Sequence, residues 1–544
     1  MTDSITLITI HRLGICPQVE QLVFQKGQSP CSIIMPPYKQ PRSLFKIALA
    51  HVEALLSLSC RNIEKTYGNY SEDTCQQQVV ILQDYILSNI PGMILDEVFE
   101  VQTSSMPETN KQDLRITLAL YMHSNMRKFS IHNWPVGFKF DLDNAFWVER
   151  LMGMHNLVVL DLHLICTDEI LKAVGTNCHK LEQINIVSKL GRVHAVNQTH
   201  ESFNALKLKF FVSDVGLSYL CNCKLLKKVK MNKILRSHLG GCMMTVGGIR
   251  TLVKSLPHLQ SITYDDMGLV ISEQMEEVQQ LQLTHLSDYH PRPTHIAAAA
   301  QFCCNLQHLC LSFPSQTSVC SATDILESLS KSSLRVPVLE LIHFPICTEM
   351  VHLLESKGSF LRSLLIESTD YISLTAIQLI GQACPDLRNL YLKQLLGDDK
   401  HSSSLEICNL FNTQLIFHNL RCLYLGGWKW NPTEVLPLCL LHAKQLETLS
   451  VVETFPQNYQ GDVMASIITT NPLQELKAVH ILTGRILSIN TINYFIQHCP
   501  KLREMSFVQS ENVTSTQVKE LCDEVYQKNL DLKIYAVEKN GPVT

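Results

Sequence analysis

The sequence predicts an α/β fold, a solenoid whose parallel strands form a curved sheet on the concave side, with helices outside and an α-helical region before the first strand. Two observations predict it. A short apolar pattern recurs along most of the chain, and residues with helical periodicity often precede it. The length of 544 residues would suggest about three or four ordinary domains, but a repeat array can use such a length in one elongated domain.

The recurring pattern is Leu-x-x-Leu-x-Leu. In its clearest copy, LTAIQLIGQACPDLRNLYLK, Leu387, Leu390 and Leu392 form the triplet, and Ile377 and Ile380 lie upstream at helical spacing. Such a triplet fits a short strand that turns its leucines to one side. The other triplets are Met126/Phe129/Ile131, Leu157/Leu160/Leu162, Leu181/Ile184/Ile186, Leu226/Val229/Met231, Leu259/Ile262/Tyr264, Leu306/Leu309/Leu311, Val336/Leu339/Leu341, Leu361/Leu364/Ile366, Leu420/Leu423/Leu425, Leu446/Leu449/Val451, Leu473/Leu476/Ala478 and Leu502/Met505/Phe507, with a last copy near Leu530.

The intervals between triplets identify the type of repeat. From Leu420 onward, successive first positions are 26, 27, 29 and 28 residues apart, and leucine-rich repeats have a period of roughly 20 to 29 residues. In such a unit a helix covers the apolar side of the strand, and no unit buries that side without neighbours. Longer intervals begin at Leu181, Leu259 and Leu387 and predict insertions, which usually lie in loops on one face. The second could instead contain a degenerate repeat, since LQLTHL at 281–286 resembles a strand.

Many of the 20 cysteines belong to the repeat. We expect those at the turn from helix to strand to be small buried hydrophobic side chains. Structural zinc needs two close pairs such as Cys-x2-Cys, whereas this chain offers Cys221-Asn-Cys223 and Cys303-Cys304. No metal site is therefore predicted. The cysteines at the helix-to-strand turns include Cys178, Cys384 and Cys499.

With these cysteines, the repeats resemble the cysteine-containing class of leucine-rich repeats found in F-box/leucine-rich-repeat proteins and their relatives. The resemblance covers about residues 126–540. It implies the solenoid fold and a surface for recognising other molecules. We therefore divide the chain into an N-terminal helical region that caps the array or binds an adaptor, residues 1–115, and a leucine-rich-repeat solenoid, residues 116–544.

The N-terminal region contains two helical patterns separated by a polar interval. The first follows the breakers of MPPYKQP, with Ser43 as N-cap and apolar residues recurring every three to four positions. The second opens with Ile90-Pro91, and proline is tolerated in the first turn of a helix. Upstream, CPQVEQLVF at Cys16–Phe24 mimics a repeat strand, and it could be a capping strand or a displaced half repeat. The apolar positions are Leu44, Ala48, Val52 and Leu55 in the first pattern and Ile94, Leu95, Val98 and Phe99 in the second.

Both patterns resemble short segments that bind ubiquitin-ligase adaptors. Ser43-Leu44-x3-Ala48-x3-Val52 resembles the elongin-C-binding box, although Ala48 stands where Cys is commoner. The segment IPGMIL resembles the cullin-selecting segment that follows such boxes, and IPGMILDEVF is similar to the opening of an F-box, although no Val-Cys-x-x-Trp segment follows. The adaptor-binding residues that these resemblances imply are Leu44, Ala48, Val52, Ile90, Pro91, Ile94 and Phe99.

These resemblances imply a non-catalytic substrate-recognition subunit of a cullin-RING E3 ubiquitin ligase, SCF-like or elongin-type. The helices would bind a Skp-type or elongin B/C adaptor joined to a cullin, and the repeats would hold a protein substrate for ubiquitin-dependent degradation. The alternative is a leucine-rich-repeat scaffold or inhibitor without ligase association, whose N-terminal helices only cap the first repeat. The two differ in exposure, because an adaptor site needs accessible anchors and a pure cap buries them.

The repeat strands also predict a substrate surface. Residues between the leucines of a triplet alternate outward, and Trp and Tyr are enriched at interface hot spots. The loop GGWKWNP carries two of the four tryptophans of the chain next to one such strand. The substrate-binding residues predicted in this way are Asn389, Tyr391, Lys393, Tyr424, Trp428 and Trp430.

The sequence predicts no enzyme. It lacks a phosphate-binding loop, a Gly-x-Gly-x-x-Gly and a Gly-x-Ser-x-Gly motif, so we expect neither catalytic residues nor a cofactor. The net charge of −4 disfavours a nucleic-acid partner, and no apolar run reaches the roughly 20 residues of a membrane span. Since the first residues also lack a signal-peptide pattern, we expect a cytoplasmic or nuclear protein with reduced thiols.

Overall fold

The repeat triplets form one parallel sheet. A computed structural model describes residues 72–90, 92–105, 118–131, 144–162, 165–186, 212–231, 244–272, 280–313, 321–368, 372–394, 416–427, 432–452, 463–482, 487–508 and 513–537, with single positions between 49 and 62. Within them, fifteen strands pair in chain order, each parallel to the next. They are β1 (Lys128–Ser130), β2 (Val159–Asp161), β3 (Gln183–Asn185), β4 (Lys228–Lys230), β5 (Ser261–Ile262), β6 (His285–Asp288), β7 (His308–Ser312), β8 (Val338–Ile342), β9 (Ser363–Ser368), β10 (Asn389–Gln394), β11 (Cys422–Gly426), β12 (Thr448–Val452), β13 (Ala478–Leu482), β14 (Glu504–Val508) and β15 (Lys533–Val537).

Helices connect the strands and cover one face of the sheet. Their apolar side chains join those of the strands in a single core cluster, and successive helices pack side by side. The predicted α/β solenoid is confirmed. The helices are α1 (Glu72–Asn89), α2 (Gly92–Ser105), α3 (Asn144–Met152), α4 (Asp168–Asn177), α5 (Asp214–Leu220), α6 (Val246–Ser255), α7 (Met267–Ser272), α8 (Pro293–Phe302), α9 (Ala322–Lys331), α10 (Thr348–Lys357), α11 (Leu374–Ala383), α12 (Pro432–Leu440), α13 (Val463–Thr470), α14 (Ile489–His498) and α15 (Ser515–Gln527).

In most of the longer strands, buried side chains alternate with side chains that point outward. In β9, Leu364 and Ile366 are fully buried, whereas Ser363, Leu365 and Glu367 are half-buried on the other face. We call this second face, opposite the helices, the open face. The same alternation continues through β8 and β11 to β14, so each strand presents its non-leucine positions to the open face.

The cysteines at the helix-to-strand turns are buried, as predicted. Cys178, Cys384 and Cys499 follow α4, α11 and α14, and the backbone N–H of each donates a hydrogen bond to a carbonyl in the last turn of its helix. Burial raises the pKa of each thiol to about 12. These thiols therefore stay protonated near neutral pH, and their place in the core is that of a small apolar side chain.

One predicted triplet is wrong in phase. Leu473 and Leu476 are buried, but Ala478 pairs with Thr448 and lies on the open face. The true triplet is Leu476, Val479 and Ile481, all fully buried. The pattern was ambiguous because Leu473 closes the turn after α13 and stands three residues before Leu476, as a first repeat leucine would.

The second long interval contains a repeat of its own, as the segment LQLTHL suggested. Leu283 and Leu286 are buried, and β6 pairs with β5 and β7. The third position of this triplet is Asp288, which pairs with Leu311 of β7. A carboxylate at a leucine position explains why the copy is hard to recognise in the sequence.

A histidine in the core is the hydrogen-bond partner of that buried side chain. Asp288 is 1% exposed, and its Oδ2 lies 2.7 Å from Nδ1 of His295, which is 5% exposed. Gly268 makes room for the pair, because a Cβ at this glycine would lie 2.0 Å from Asp288 Oδ2. Paired in this way, the two buried polar side chains avoid the cost of burial without a partner.

The N-terminal interval expected to be polar contains a helix. α1 spans Glu72–Asn89, and Val79 and Ile86 on one of its sides are buried in the core. The prediction missed it because its inward positions are few and its first half is rich in glutamine. The capping segment Cys16–Phe24 and the insertion around 188–202 lie outside the described residues.

Candidate functional site

The open face of β9 to β11 carries an aromatic patch. Leu365, Tyr391 and Tyr424 pair directly across these three strands, so their side chains form one row. The rings of Tyr391 and Tyr424 are tilted by 35°, with centroids 6.3 Å apart. All three residues are half-buried, which leaves part of each accessible. We call these three residues the aromatic patch.

Tyr391 is tied to the neighbouring strand. Cys422 Sγ lies 3.4 Å from the phenol oxygen of Tyr391, and the two groups share a hydrogen bond. This hydrogen bond, with burial as the second cause, raises the pKa of Tyr391 to about 12. The phenol therefore remains protonated at neutral pH, and it keeps a proton to donate to a bound partner.

The other predicted substrate residues have different surroundings. Asn389 is half-buried at the start of β10 on the same face. Lys393 Nζ lies 3.3 Å from Glu367 Oε1 of β9, so its charge already has a partner. Trp428 and Trp430 fall outside the described residues. The structure thus brings Asn389, Tyr391, Lys393 and Tyr424 together on two adjacent strands.

A row of arginines borders the aromatic patch at the N-terminal edge of the sheet. Arg362, Arg388 and Arg421 immediately precede β9, β10 and β11. The backbone N–H of Arg388 donates to the carbonyl of Arg362, and the N–H of Arg421 to that of Arg388, so the three lie side by side. We call them the arginine row. The sequence prediction missed it, although one signal was present, since each arginine directly follows the first leucine of its triplet.

A histidine pair lies further along the open face. The rings of His285 and His308 are in an edge-to-face arrangement with centroids 5.3 Å apart, and His308 Nε2 lies 3.0 Å from Glu340 Oε1. Burial, then His308 and Lys228, lower the pKa of His285. These side chains line the sheet surface between β6 and β8.

The N-terminal helices cover the first repeat. Phe99 of α2 is 3% exposed and stacks on Phe129 of β1, with ring centroids 5.4 Å apart and an angle of 22°. It also contacts the ring of Tyr121 at 5.8 Å. Val98 beside it is completely buried. The Phe99 side chain therefore lies in the core and is not accessible to an adaptor in this conformation.

The remaining predicted adaptor residues are only partly placed. Val52, Ile90 and Ile94 are half-buried and pack against the core cluster. Leu44, Ala48 and Pro91 lie outside the described residues. The helical region thus has the buried contacts of a cap, while Ile90 and Ile94 keep part of their surface exposed.

Helix α1 adds an exposed apolar surface that the sequence did not indicate. Val80 is 44% exposed and Ile81 is 61% exposed, on the side away from Val79. Gln83 fixes the helix to the following segment, since its Nε2 donates to the carbonyl of Met122 at 2.7 Å. Leu58, in the helical stretch before α1, is also 54% exposed.

A buried ionisable pair joins α2 to the segment before β1. His123 Nε2 lies 3.8 Å from Asp96 Oδ1, and the histidine is 3% exposed. Burial lowers the pKa of His123 and is also the main cause of the raised pKa of Asp96, which the backbone and charge of Arg127 partly oppose. Within the described residues neither ring nitrogen of His123 makes a hydrogen bond.

In the part of the chain that the structure describes, no group of three or more His, Cys, Asp or Glu side chains could hold a metal ion. Over the same residues, no helix combines the length and apolar character needed to cross a bilayer.

The similarity of this chain to known proteins is structural. No protein-family model and no curated protein match the sequence. Among solved structures, the chain is similar to one described as the crystal structure of the Rad7 and Elc1 complex in yeast, with a TM-score of 0.37 and 10% identity. The match covers 88% of this chain and 96% of that chain. At this identity and TM-score it says nothing about activity or partners.

Proposed function

We propose that this protein is a non-catalytic substrate receptor of a cullin-RING ubiquitin ligase. Its N-terminal helices would dock on a Skp-type or elongin-type adaptor joined to a cullin, and the open face of its sheet would hold a protein substrate for ubiquitin-dependent degradation. The adaptor-like segments of the sequence motivate the first part, and the aromatic patch motivates the second.

The observation that carries the proposal is the exposed apolar surface of the helical region. A helix that docks in an apolar groove needs accessible aliphatic anchors at positions on one side. Val80 and Ile81 of α1 and Leu58 before it provide such side chains, while α2 fixes the region to the first repeat through Phe99. One helical region can therefore serve as both a cap and a docking site.

A scaffold or inhibitor without ligase association is the second candidate. The deep burial of Leu95, Val98 and Phe99 favours it, because a cap needs these contacts whether or not an adaptor binds. The two candidates make different predictions for α1. In a scaffold Val80 and Ile81 would stay exposed to solvent, whereas a bound adaptor would cover them.

Capture of purified adaptors by the full chain tests the proposal. We would compare elongin B/C with the Skp-type adaptor, using the wild type, Leu44→Asp, Ile94→Asp and Ile81→Asp. The control is Val215→Asp, which changes a valine that is 59% exposed on α5 of the solenoid. We expect one adaptor to be captured, with loss in at least one N-terminal variant and not in the control. Capture of neither adaptor by a folded wild-type chain would favour the scaffold.

A further inference from the structure

The arginine row concentrates positive charge at one place on the sheet. Its three Cα atoms occupy neighbouring parallel strands, which are about 4.8 Å apart, so the row is about 10 Å long. Arg362 and Arg388 are exposed, and the side chain of Arg421 is 48% exposed. Three guanidinium groups thus reach solvent from one short edge.

Among the described residues, most of this charge has no internal partner. Arg421 Nη1 lies 3.7 Å from Glu447 Oε1, but Glu447 is shared with Lys477, whose Nζ lies 2.5 Å from its other oxygen. Within the described residues no carboxylate lies within ion-pair distance of Arg362 or Arg388. Elsewhere on this edge Lys227 has Glu182 at 2.9 Å. Two adjacent unpaired arginines are therefore available to an external anion.

The row and the aromatic patch form one composite surface. Arg388 stands just before β10 and precedes Tyr391 by three residues, which corresponds to about 10 Å along the sheet. Arg362 stands in the same relation to Leu365, and Arg421 to Tyr424. Between the two rows lie Ser363, Asn389 and Cys422, which are small or neutral. A ligand that bridges them needs an anionic part and an apolar part about 10 Å apart.

We infer that this surface binds an acidic peptide segment, in which Asp or Glu side chains pair with the arginine row and an aliphatic or aromatic side chain packs on the aromatic patch. The inference deepens the proposed function and rests on its claim that the open face holds a protein substrate. Arginine pairs with carboxylates through two parallel hydrogen bonds, which favours discrete carboxylates as ligands. Tyr391, with its retained proton, can also donate to the peptide backbone.

Charge complementarity favours a peptide over a nucleic acid. Tyrosines can also stack on bases, but the surroundings of the patch contain carboxylates. Glu340 and Glu367 lie on the neighbouring open-face positions of β8 and β9, and Glu447 follows Arg421 on the edge. A continuous phosphate backbone crossing these strands would meet this negative charge, whereas a peptide can place its acids on the arginines alone.

Selection from a random-peptide library on the immobilised full chain tests the inference. We would compare the wild type with Arg362→Glu/Arg388→Glu and with Tyr391→Ala/Tyr424→Ala. The control is Lys172→Glu/Lys519→Glu, which makes the same change in net charge at exposed lysines of α4 and α15. Thermal unfolding would confirm that each variant folds. The enriched peptides would then be measured by fluorescence anisotropy, beside a labelled single-stranded oligonucleotide.

We expect the wild type to enrich peptides with clustered acids and at least one aliphatic or aromatic residue. Their Kd should rise about tenfold or more in the arginine variant and in the tyrosine variant, should rise with salt, and should stay the same in the control. Selection of no peptides, selection without acids, or equal binding by the arginine variant overturns the inference. Oligonucleotide binding that depends on the arginines, without acidic peptides, would overturn it in favour of nucleic acid.

The experiment is independent of the adaptor. Peptide selection uses the chain by itself, so a failure of adaptor capture would overturn the proposed function without removing the selected peptides. Conversely, Arg362→Glu/Arg388→Glu should leave adaptor capture unchanged, because the two substituted arginines stand just before β9 and β10, whereas the helical region contacts β1.

Discussion

Asp168 on the first turn of α4 caps the next helix of the array. One carboxylate oxygen accepts from the backbone N–H of Ser213 at 2.8 Å, and the other accepts from the Ser213 hydroxyl at 2.5 Å. Asp214 repeats the arrangement on Thr245, at 2.8 and 2.7 Å. Adjacent helices are thus joined at their N-termini by charge-assisted hydrogen bonds between repeats.

Replacing Asp168 with Ala should destabilise the array by about 1 to 3 kcal/mol, because Ser213 loses both acceptors at the start of α5. Asp168→Asn keeps one oxygen acceptor and should therefore lose less stability than Asp168→Ala. The measurement is the free energy of unfolding in urea. An exposed aspartate without this role, Asp523→Ala on α15, is the control. Equal stability of Asp168→Ala and the wild type would show that solvent replaces the contact.

A substitution at Gly216 tests the same contact, because this glycine lies against the side chain of Asp168. A Cβ at this glycine would lie 2.1 Å from Asp168 Oδ1. Gly216→Ala should therefore displace the carboxylate and lose stability, although alanine normally favours a helix over glycine by about 1 kcal/mol. In the Asp168→Ala background, Gly216→Ala should lower the free energy of unfolding by less than it does in the wild type. Additive losses in the double variant would contradict a direct clash.

Phe99→Ala should weaken the attachment of the N-terminal helices by about 3 to 5 kcal/mol, since it empties a fully packed aromatic site against Phe129 and Tyr121. Hydrogen exchange would show the loss as faster exchange in α1 and α2, with β9 to β15 unchanged. Ile81→Ala, on the exposed side of α1, should leave exchange as in the wild type. Uniformly faster exchange across the solenoid would contradict a local role.

The attachment of the helical region should also depend on pH through His123. The folded state lowers the pKa of this histidine below its ordinary value of 6.5, so folding favours the neutral ring. Its contribution to stability is complete above about pH 6.5 and is lost as the pH falls from there through the lower folded pKa. Asp96, whose pKa is raised above 3.8, acts in the opposite direction at lower pH.

His123→Gln tests this dependence. It removes the titrating group, so the decline in stability between pH 7 and pH 5 should become shallower in the variant. His285 also has a lowered pKa and would contribute to the same decline, which makes His285→Gln the necessary comparison. Thermal unfolding at a series of pH values is the measurement. An unchanged slope in His123→Gln would assign the dependence to other groups.

Asp288→Leu restores a leucine to the repeat pattern, and we nevertheless expect it to destabilise the protein. It leaves His295 buried without its partner, which should cost about 1 to 3 kcal/mol. Replacing both, as Asp288→Leu/His295→Leu, removes the orphaned group and should recover most of the loss. Urea unfolding of the wild type, Asp288→Leu, His295→Leu and the double variant measures the coupling. Independent, additive effects would show that the pair does not interact energetically.

The sequence predicted the solenoid because leucine triplets that recur every 26 to 29 residues from Leu420 onward leave few other arrangements for their burial. It misjudged one copy where that signal is ambiguous, at Leu473, and it left the copy that ends at Asp288 open as a degenerate repeat. Helix α1 was not predicted because its inward-facing residues Val79, Leu82 and Ile86 are few and lie next to exposed Val80 and Ile81.

The surface was harder to predict than the core. Arg362, Arg388 and Arg421 are separated by 26 and 33 residues, and they become neighbours only when the strands pair. Burial constrains the leucine positions, but the fold does not constrain an outward position in the same way. Tyr391 and Tyr424 could be placed on the open face from the two-residue period, while their hydrogen-bonded and charged neighbours could not.

Because the strands pair in chain order at an even spacing, the number of strands between two sites gives the distance between them. Eight strand spacings of about 4.8 Å separate β1 from β9, so the aromatic patch lies roughly 40 Å along the sheet from the repeat on which the helical region rests. Adding or deleting one repeat between them would change this separation by one strand spacing while leaving both ends intact. The number of repeats in the array thus sets the distance between the surface of β9–β11 and the N-terminal helices.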